Sequence, residues 1–177
     1  MPISPLFSVF KAHDPRGFFQ IFRDWRSLLR LHFLHAALDA GLLRALERPR
    51  SREELIRDLG VERADLLDAI LELGVSVGEL RLRKGRYLLR GSRSRSLSRE
   101  ENDALAAIIE ANVTYYNAAF QDFSRRLRGG PLGEGVGEIG PLVARASRVA
   151  EPYVQHFLKT VAKSRQPRRV LDVGCGS

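Results

Sequence analysis

The sequence predicts a mainly α fold with one β-hairpin and a short strand close to its C-terminal end. Three observations predict it. Apolar residues recur at helical spacing along most of the chain, leucine and arginine alternate on one side of Lys84-Gly85, and Val170-Leu171-Asp172-Val173 runs into glycines. The 177 residues are 44% hydrophobic and 28% charged, which fits one globular domain, or one plus part of a second, and argues against disorder. No window approaches about eighteen uncharged apolar residues, so no membrane span is expected. Met1-Pro2-Ile3-Ser4-Pro5 lacks the basic start and apolar run of a secretory signal, and a cytoplasmic protein is expected. Cys175 is the single cysteine, which excludes an intrachain disulfide and a Cys-rich zinc site.

The first predicted element is a helix over 18–46. Phe18, Phe22, Trp25, Leu29, His32 and Ala36 form one stripe, and Leu28, Leu31, His35 and Leu38 form a second beside it. A helix apolar over this much of its girth wants partners on several sides. Asp14-Pro15-Arg16-Gly17 reads as a turn ahead of it, and Gly41 loosens or breaks it. Ser51-Arg52-Glu53-Glu54 is a capping box opening a short helix that stops at Gly60. A second helix is expected over about 63–73 with Gly74 beyond it, and then a hairpin turning at Lys84-Gly85. Helix, short helix, turn, helix and basic hairpin is the order of a winged helix-turn-helix.

Ser98-Arg99-Glu100-Glu101 is a second capping box. Leu105, Ile109, Asn112, Tyr116, Phe120, Phe123 and Leu127 behind it predict a long helix over 99–128. Residues 129–140 hold six glycines and Pro131 and read as a loop or hinge. A last helical stretch, 141–164, is expected to be kinked or split at Pro152. Residues 168–173 read as a strand.

Charge is local. The net +8 resides in residues 80–99, which carry Arg81, Arg83, Lys84, Arg86, Arg90, Arg93, Arg95 and Arg99 and no acid. A solvated wing followed by a flexible linker at 91–96 is the plainer reading of this stretch; contact with phosphate is the sharper one. Base reading by the second helix is not expected, because Glu62, Asp65, Asp68 and Glu72 oppose only Arg63 there. DNA is therefore not expected as a partner.

The C-terminal octapeptide Val170-Leu171-Asp172-Val173-Gly174-Cys175-Gly176-Ser177 is the most specific signal. Glycines at such a turn let backbone approach a ligand with no Cβ in the way, and an acid at the strand end can accept from an ammonium group. Here the sequence resembles the first motif of class I S-adenosylmethionine-dependent methyltransferases, with Asp172, Gly174 and Gly176 on its first three signature positions. The upstream order of elements, with the long aromatic helix and Ala144–Pro152 before the motif, looks like the small-molecule O-methyltransferases that carry an N-terminal winged-helix dimerisation domain. The resemblance implies an S-adenosyl-L-methionine site opened by Asp172, Gly174, Cys175 and Gly176. It also implies a homodimer, a small-molecule substrate, and a Rossmann-like domain of which this chain holds the first strand. On this resemblance the chain is expected to be truncated after that motif, and to be inactive and a poor cofactor binder alone.

Other features have plainer readings. Cys175 reads as a small residue beside glycine rather than a reactive thiol. His32 and His35 share a helix face, but no carboxylate or cysteine completes a metal site, so none is expected. Glu134 and Glu138 in the glycine loop do not make a catalytic pair. Tyr115, Tyr116 and Phe120 are candidates to face a substrate. For Tyr116, Phe120 and Phe123, on the main stripe, packing in a core or dimer is the plainer reading, while Tyr115 lies off the stripe and is freer to meet a ligand. No catalytic residue is named.

The expected organisation is an arm and winged-helix dimerisation domain (1–98), connecting helices with a glycine hinge (99–164) and the start of the cofactor domain (165–177). The expected function is the N-terminal part of a methyltransferase, supplying dimerisation, a substrate roof and the first cofactor turn. A winged-helix transcriptional regulator and a standalone dimerisation module are the alternatives.

Overall fold

The computed structural model describes residues 14–131, 139–165 and 169. It divides into two compact units, Met1–Ser94 and Arg95–Ser177. The described elements are mainly helical, with one two-stranded sheet.

In the first unit, α1 (Pro15–Asp39) begins at residues expected to form a turn. The Asp14 carboxylate accepts from the amides of Arg16 and Gly17, both at 3.1 Å, and Pro15 takes the first helical position, where its missing N–H costs nothing. Gly41, at φ +68°, separates α1 from α2 (Leu42–Ala45), so the helix expected over 18–46 is broken at the glycine.

The buried face of α1 is not one of the two predicted stripes. Phe33, Leu34 and Ala37 are fully buried, whereas Phe19, Phe22, Trp25 and Leu28 stay exposed. Arg26 and Arg30 precede Phe33 on the same face and hide it from any apolar periodicity. Their guanidiniums donate to the carbonyls of Ser76 and Val77, each at 3.0 Å, at the C-terminal end of α4 (Ala64–Ser76). Cations there satisfy carbonyls that lack an intrahelical partner and complement the helix dipole.

The capping box of α3 (Arg52–Asp58) forms as expected. The Glu54 amide donates to Ser51 Oγ at 3.2 Å, and the Ser51 amide donates to Glu54 Oε2 at 2.7 Å. That amide, followed by the Arg86 guanidinium, holds the Glu54 carboxyl below its ordinary range. Helix α4 runs past Gly74 rather than stopping before it. A Cβ on Gly74 would stand 2.6 Å from Phe33 Cε2, so glycine serves here for close helix approach and not as a stop. Strands β1 (Leu80–Arg83) and β2 (Arg86–Leu89) pair antiparallel, with Lys84 and Gly85 at positive φ in the turn, and Arg50 bridges to Tyr87 on the other side of β2.

Helix α5 (Ser92–Leu97) occupies the stretch expected as a flexible linker. Its anchor is Glu79, 1% exposed. The Glu79 carboxylate accepts from the Ser94 amide and from Arg93, both at 3.2 Å, and pairs with Arg30 at 3.5 Å. The Glu79 carbonyl accepts from the amides of Arg90 (2.8 Å) and Gly91 (3.1 Å) and from the Ser94 hydroxyl (3.0 Å). An arginine–serine tract has no apolar period to signal this order; one carboxylate remote in sequence supplies it.

In the second unit, the helix expected over 99–128 is present in pieces. A 3₁₀ turn (Glu100–Asn102) leads to α6 (Asp103–Ala111), a π turn (Asn112–Tyr116), α7 (Asn117–Gln121) and α8 (Phe123–Leu127). The expected capping box at Ser98 does not form. Its hydroxyl donates instead to the Arg95 carbonyl at 3.2 Å, while Asn102 Nδ2 donates to the Ser96 carbonyl at 2.8 Å. Beyond the glycine segment come α9 (Gly140–Ser147), a 3₁₀ turn (Arg148–Ala150) and α10 (Glu151–Arg165). Pro152 stands second in α10, so this stretch is split rather than kinked.

Helix α6 packs on α9 with Ala107 and Ala111 buried. Arg145 of α9 donates to Asp103 at 2.6 Å and to Glu110 at 3.0 Å. That guanidinium holds the Asp103 carboxyl below its ordinary value of 3.8. The stabilisation is therefore complete above the unfolded value and is lost as pH falls through the lower folded one. Both side chains are more than a third exposed, so solvent screening limits the Arg145→Ala loss to about 1 kcal/mol or less. Thermal melts of the two proteins are expected to differ at pH 7 and to converge as Asp103 protonates.

The predicted strand 168–173 lies outside the described residues save Arg169. So do the cofactor-turn candidates Asp172, Gly174, Cys175 and Gly176, and Glu134 and Glu138 of the glycine loop.

Candidate functional site

The described candidates cluster at the π turn. Asn112 Nδ2 donates to the Ile108 carbonyl and Thr114 Oγ1 to the Glu110 carbonyl, both at 2.7 Å. Such back-bonding competes with the i→i−4 ladder and accompanies its loosening to an i→i+5 turn. One extra residue in a turn rotates everything beyond it relative to α6. The stripe Leu105-Ile109-Asn112-Tyr116-Phe120 therefore does not stay on a single face.

Tyr115, expected off the packing stripe, is half-buried and meets Tyr116 edge-on, with ring centroids 5.3 Å apart. Tyr116, Phe120 and Phe123, expected to pack in a core or a dimer, are exposed within this chain, Phe120 by 76%, so they do not belong to its core. At Asp122 the helix breaks again; its carboxylate pairs with Arg125 and Arg126, and the Arg125 guanidinium holds it below the ordinary carboxylate range. The result is an aromatic surface over 115–123, edged by charge at its C-terminal end.

Sequence periodicity assigned no functional side chain to 141–164. In the structure α10 leaves Tyr153, Val154, Phe157 and Leu158 exposed, on one stripe at i, i+1, i+4 and i+5. That spacing was the available signal. His32 and His35 are half-buried on α1.

The basic stretch is only partly neutralised. Arg86 pairs with Glu54 at 2.9 Å, Arg93 with Glu79, and Arg99 with Glu101 at 3.9 Å. Arg81, Arg83, Lys84, Arg90 and Arg95 are exposed, with no ion-pair partner among the described residues. On the second helix of this module, Asp68 is neutralised by Arg52 at 2.6 Å and Asp65 by Arg63 at 2.7 Å. Glu62 and Glu72 remain as unpaired anions among the described residues.

No family model and no curated protein matches this sequence. Solved structures do. One is the S-adenosylmethionine-dependent methyltransferase SibL in its apo form, 19% identical, with a TM-score of 0.54 over 77% of this chain and 44% of that one. Another is CalO1, a methyltransferase in calicheamicin biosynthesis, in its SAH-bound form: 20% identical, TM-score 0.54, over 76% of this chain and 44% of that one. The likeness is one of fold, and the chain spans less than half the length of these structures. The described architecture is thus a mainly α, partial methyltransferase-like fold.

Proposed function

We propose that this chain forms the N-terminal part of a SAM-dependent methyltransferase acting on a small molecule. The observation that carries the proposal is the pairing of a methyltransferase-like helical fold with the Asp172-Val173-Gly174-Cys175-Gly176 ending. In this reading the helix–helix–hairpin module of the first unit is a winged helix serving dimerisation, and the 115–123 surface roofs the substrate.

The donor set suits the methionine part of the cofactor. Asp172 can accept from its ammonium group, and Gly174 and Gly176 let the backbone come close, with Cys175 a small residue between them. Bound S-adenosylmethionine supplies an activated methyl group. The chain's own contribution is orientation, since such transfer depends mainly on holding donor and acceptor in line. Tyr115, Tyr116 and Phe120 supply flat apolar surface that excludes water from the acceptor. Nucleic acid has no place in this reading, because Glu62 and Glu72 would face phosphate on the helix that ought to read bases.

Saturation-transfer NMR with S-adenosylhomocysteine tests it, since the method detects weak binding. Transfer to the methionine-portion protons, abolished by Asp172→Ala and not competed by NADH, is expected. No transfer, or preference for NADH, would overturn the assignment.

A further inference from the structure

The hairpin has one open edge. Strand β2 is covered on its far side by Arg50, whose amide donates to the Tyr87 carbonyl (3.0 Å) and whose carbonyl accepts from the Tyr87 amide (2.7 Å). Tyr87 is also the cross-strand partner of Leu82. Antiparallel pairs alternate between those that exchange hydrogen bonds and those that do not. With Tyr87 turned toward Arg50, the Leu82 amide and carbonyl turn away from β2, to the outer side of β1. Neither meets a protein partner there among the described residues.

This edge is basic around an apolar centre. Arg81, Leu82 and Arg83 are exposed, Leu82 by 51%, and neither arginine has an ion-pair partner among the described residues. Side chains alternate along a strand, so the two arginines share one face and Leu82 takes the other. An open edge is a template for another strand. A second copy of this edge is repelled, because like charges would stand opposite one another. A strand of the complementary pattern is attracted: acids opposite Arg81 and Arg83, an apolar residue opposite Leu82. Phosphates of a nucleic acid or a bilayer would answer the cations, but they offer the outward Leu82 carbonyl no donor.

We propose that β1 takes up an extended acidic polypeptide segment, with acid and apolar residues in alternation, as a further strand of this sheet. Main-chain hydrogen bonds at Leu82 supply the pairing, and Arg81 and Arg83 select the charge of the partner. This interaction goes beyond methyl transfer and is independent of the cofactor assignment.

The test titrates the full chain against a fluorescein-labelled Glu-Val-Glu-Val-Glu peptide, read by fluorescence anisotropy. Binding is expected, with none for Lys-Val-Lys-Val-Lys. Arg81→Glu/Arg83→Glu, at two exposed sites, is expected to weaken the acidic peptide by about tenfold or more and to gain the basic one, a gain that requires a folded hairpin. The acidic peptide methylated at every amide nitrogen keeps its charge and side chains but has no main-chain donor. The unchanged chain is expected to bind it about tenfold or more weakly. Equal binding of the methylated peptide would mean attraction by charge alone and overturn the proposal. Absence of binding to the acidic peptide, or tighter binding of a duplex DNA oligonucleotide or of phosphatidylserine vesicles, would overturn it too.

Discussion

Glu79→Ala is expected to destabilise the first unit by about 3 kcal/mol, the scale for breaking a buried, hydrogen-bonded charge cluster from one side. The carboxylate is 1% exposed and serves Ser94, Arg93 and Arg30 at once. Its loss leaves the Ser94 amide without an acceptor and removes the anchor of α5. For a unit of this size that corresponds to a fall in Tm of about 12–24 °C. Gly91 supplies an internal check. A Cβ there would lie 1.7 Å from Glu79 Oε2, so Gly91→Ala must displace the carboxylate and is expected to destabilise strongly by itself. Once Glu79 is alanine the obstruction is gone, and Gly91→Ala added to Glu79→Ala is expected to cost little more. The double-mutant cycle, measured by urea unfolding, should therefore show strong coupling; additive losses would mean that the two residues do not share this contact.

The second large effect concerns the phase of α1. Phe33 is fully buried against Gly74 and Leu80, and Phe33→Ala is expected to cost about 3–5 kcal/mol. Phe22 is 47% exposed, so Phe22→Ala is expected to leave the stability of the isolated protomer nearly unchanged while weakening self-association. Urea unfolding at low protein concentration, where association is negligible, separates the two. A larger loss at Phe22 than at Phe33 would put the predicted stripe, not the observed face, in the core.

These contrasts show what could be read from sequence alone. The Ser51 capping box, the break at Gly41, the Lys84-Gly85 turn and the split at Pro152 were legible because each depends on backbone chemistry within a few residues. The phase of α1 was not, since Arg26 and Arg30 occupy its inner face and their partners, the Ser76 and Val77 carbonyls, lie about fifty residues away. The order of α5 was hidden for the same reason, because its acceptor Glu79 lies outside the arginine–serine tract. At the candidate site the aromatic residues were legible and their facing was not. A π turn adds one residue per turn without any apolar signature, and Asn112 and Thr114 are its only trace in the sequence.

The methyltransferase reading makes one chemical demand: the sulfonium cofactor must lie between the terminal glycine turn and the aromatic helix. Ultraviolet crosslinking of methyl-tritiated S-adenosylmethionine, followed by tryptic mapping, reports that position directly. Label is expected in Val170–Ser177 or in Glu100–Arg125, the peptides that carry Asp172 and Tyr115–Phe120. At a cofactor concentration high enough to load a weak site, label confined to the basic hairpin peptides, or to any peptide of residues 15–99, would contradict it.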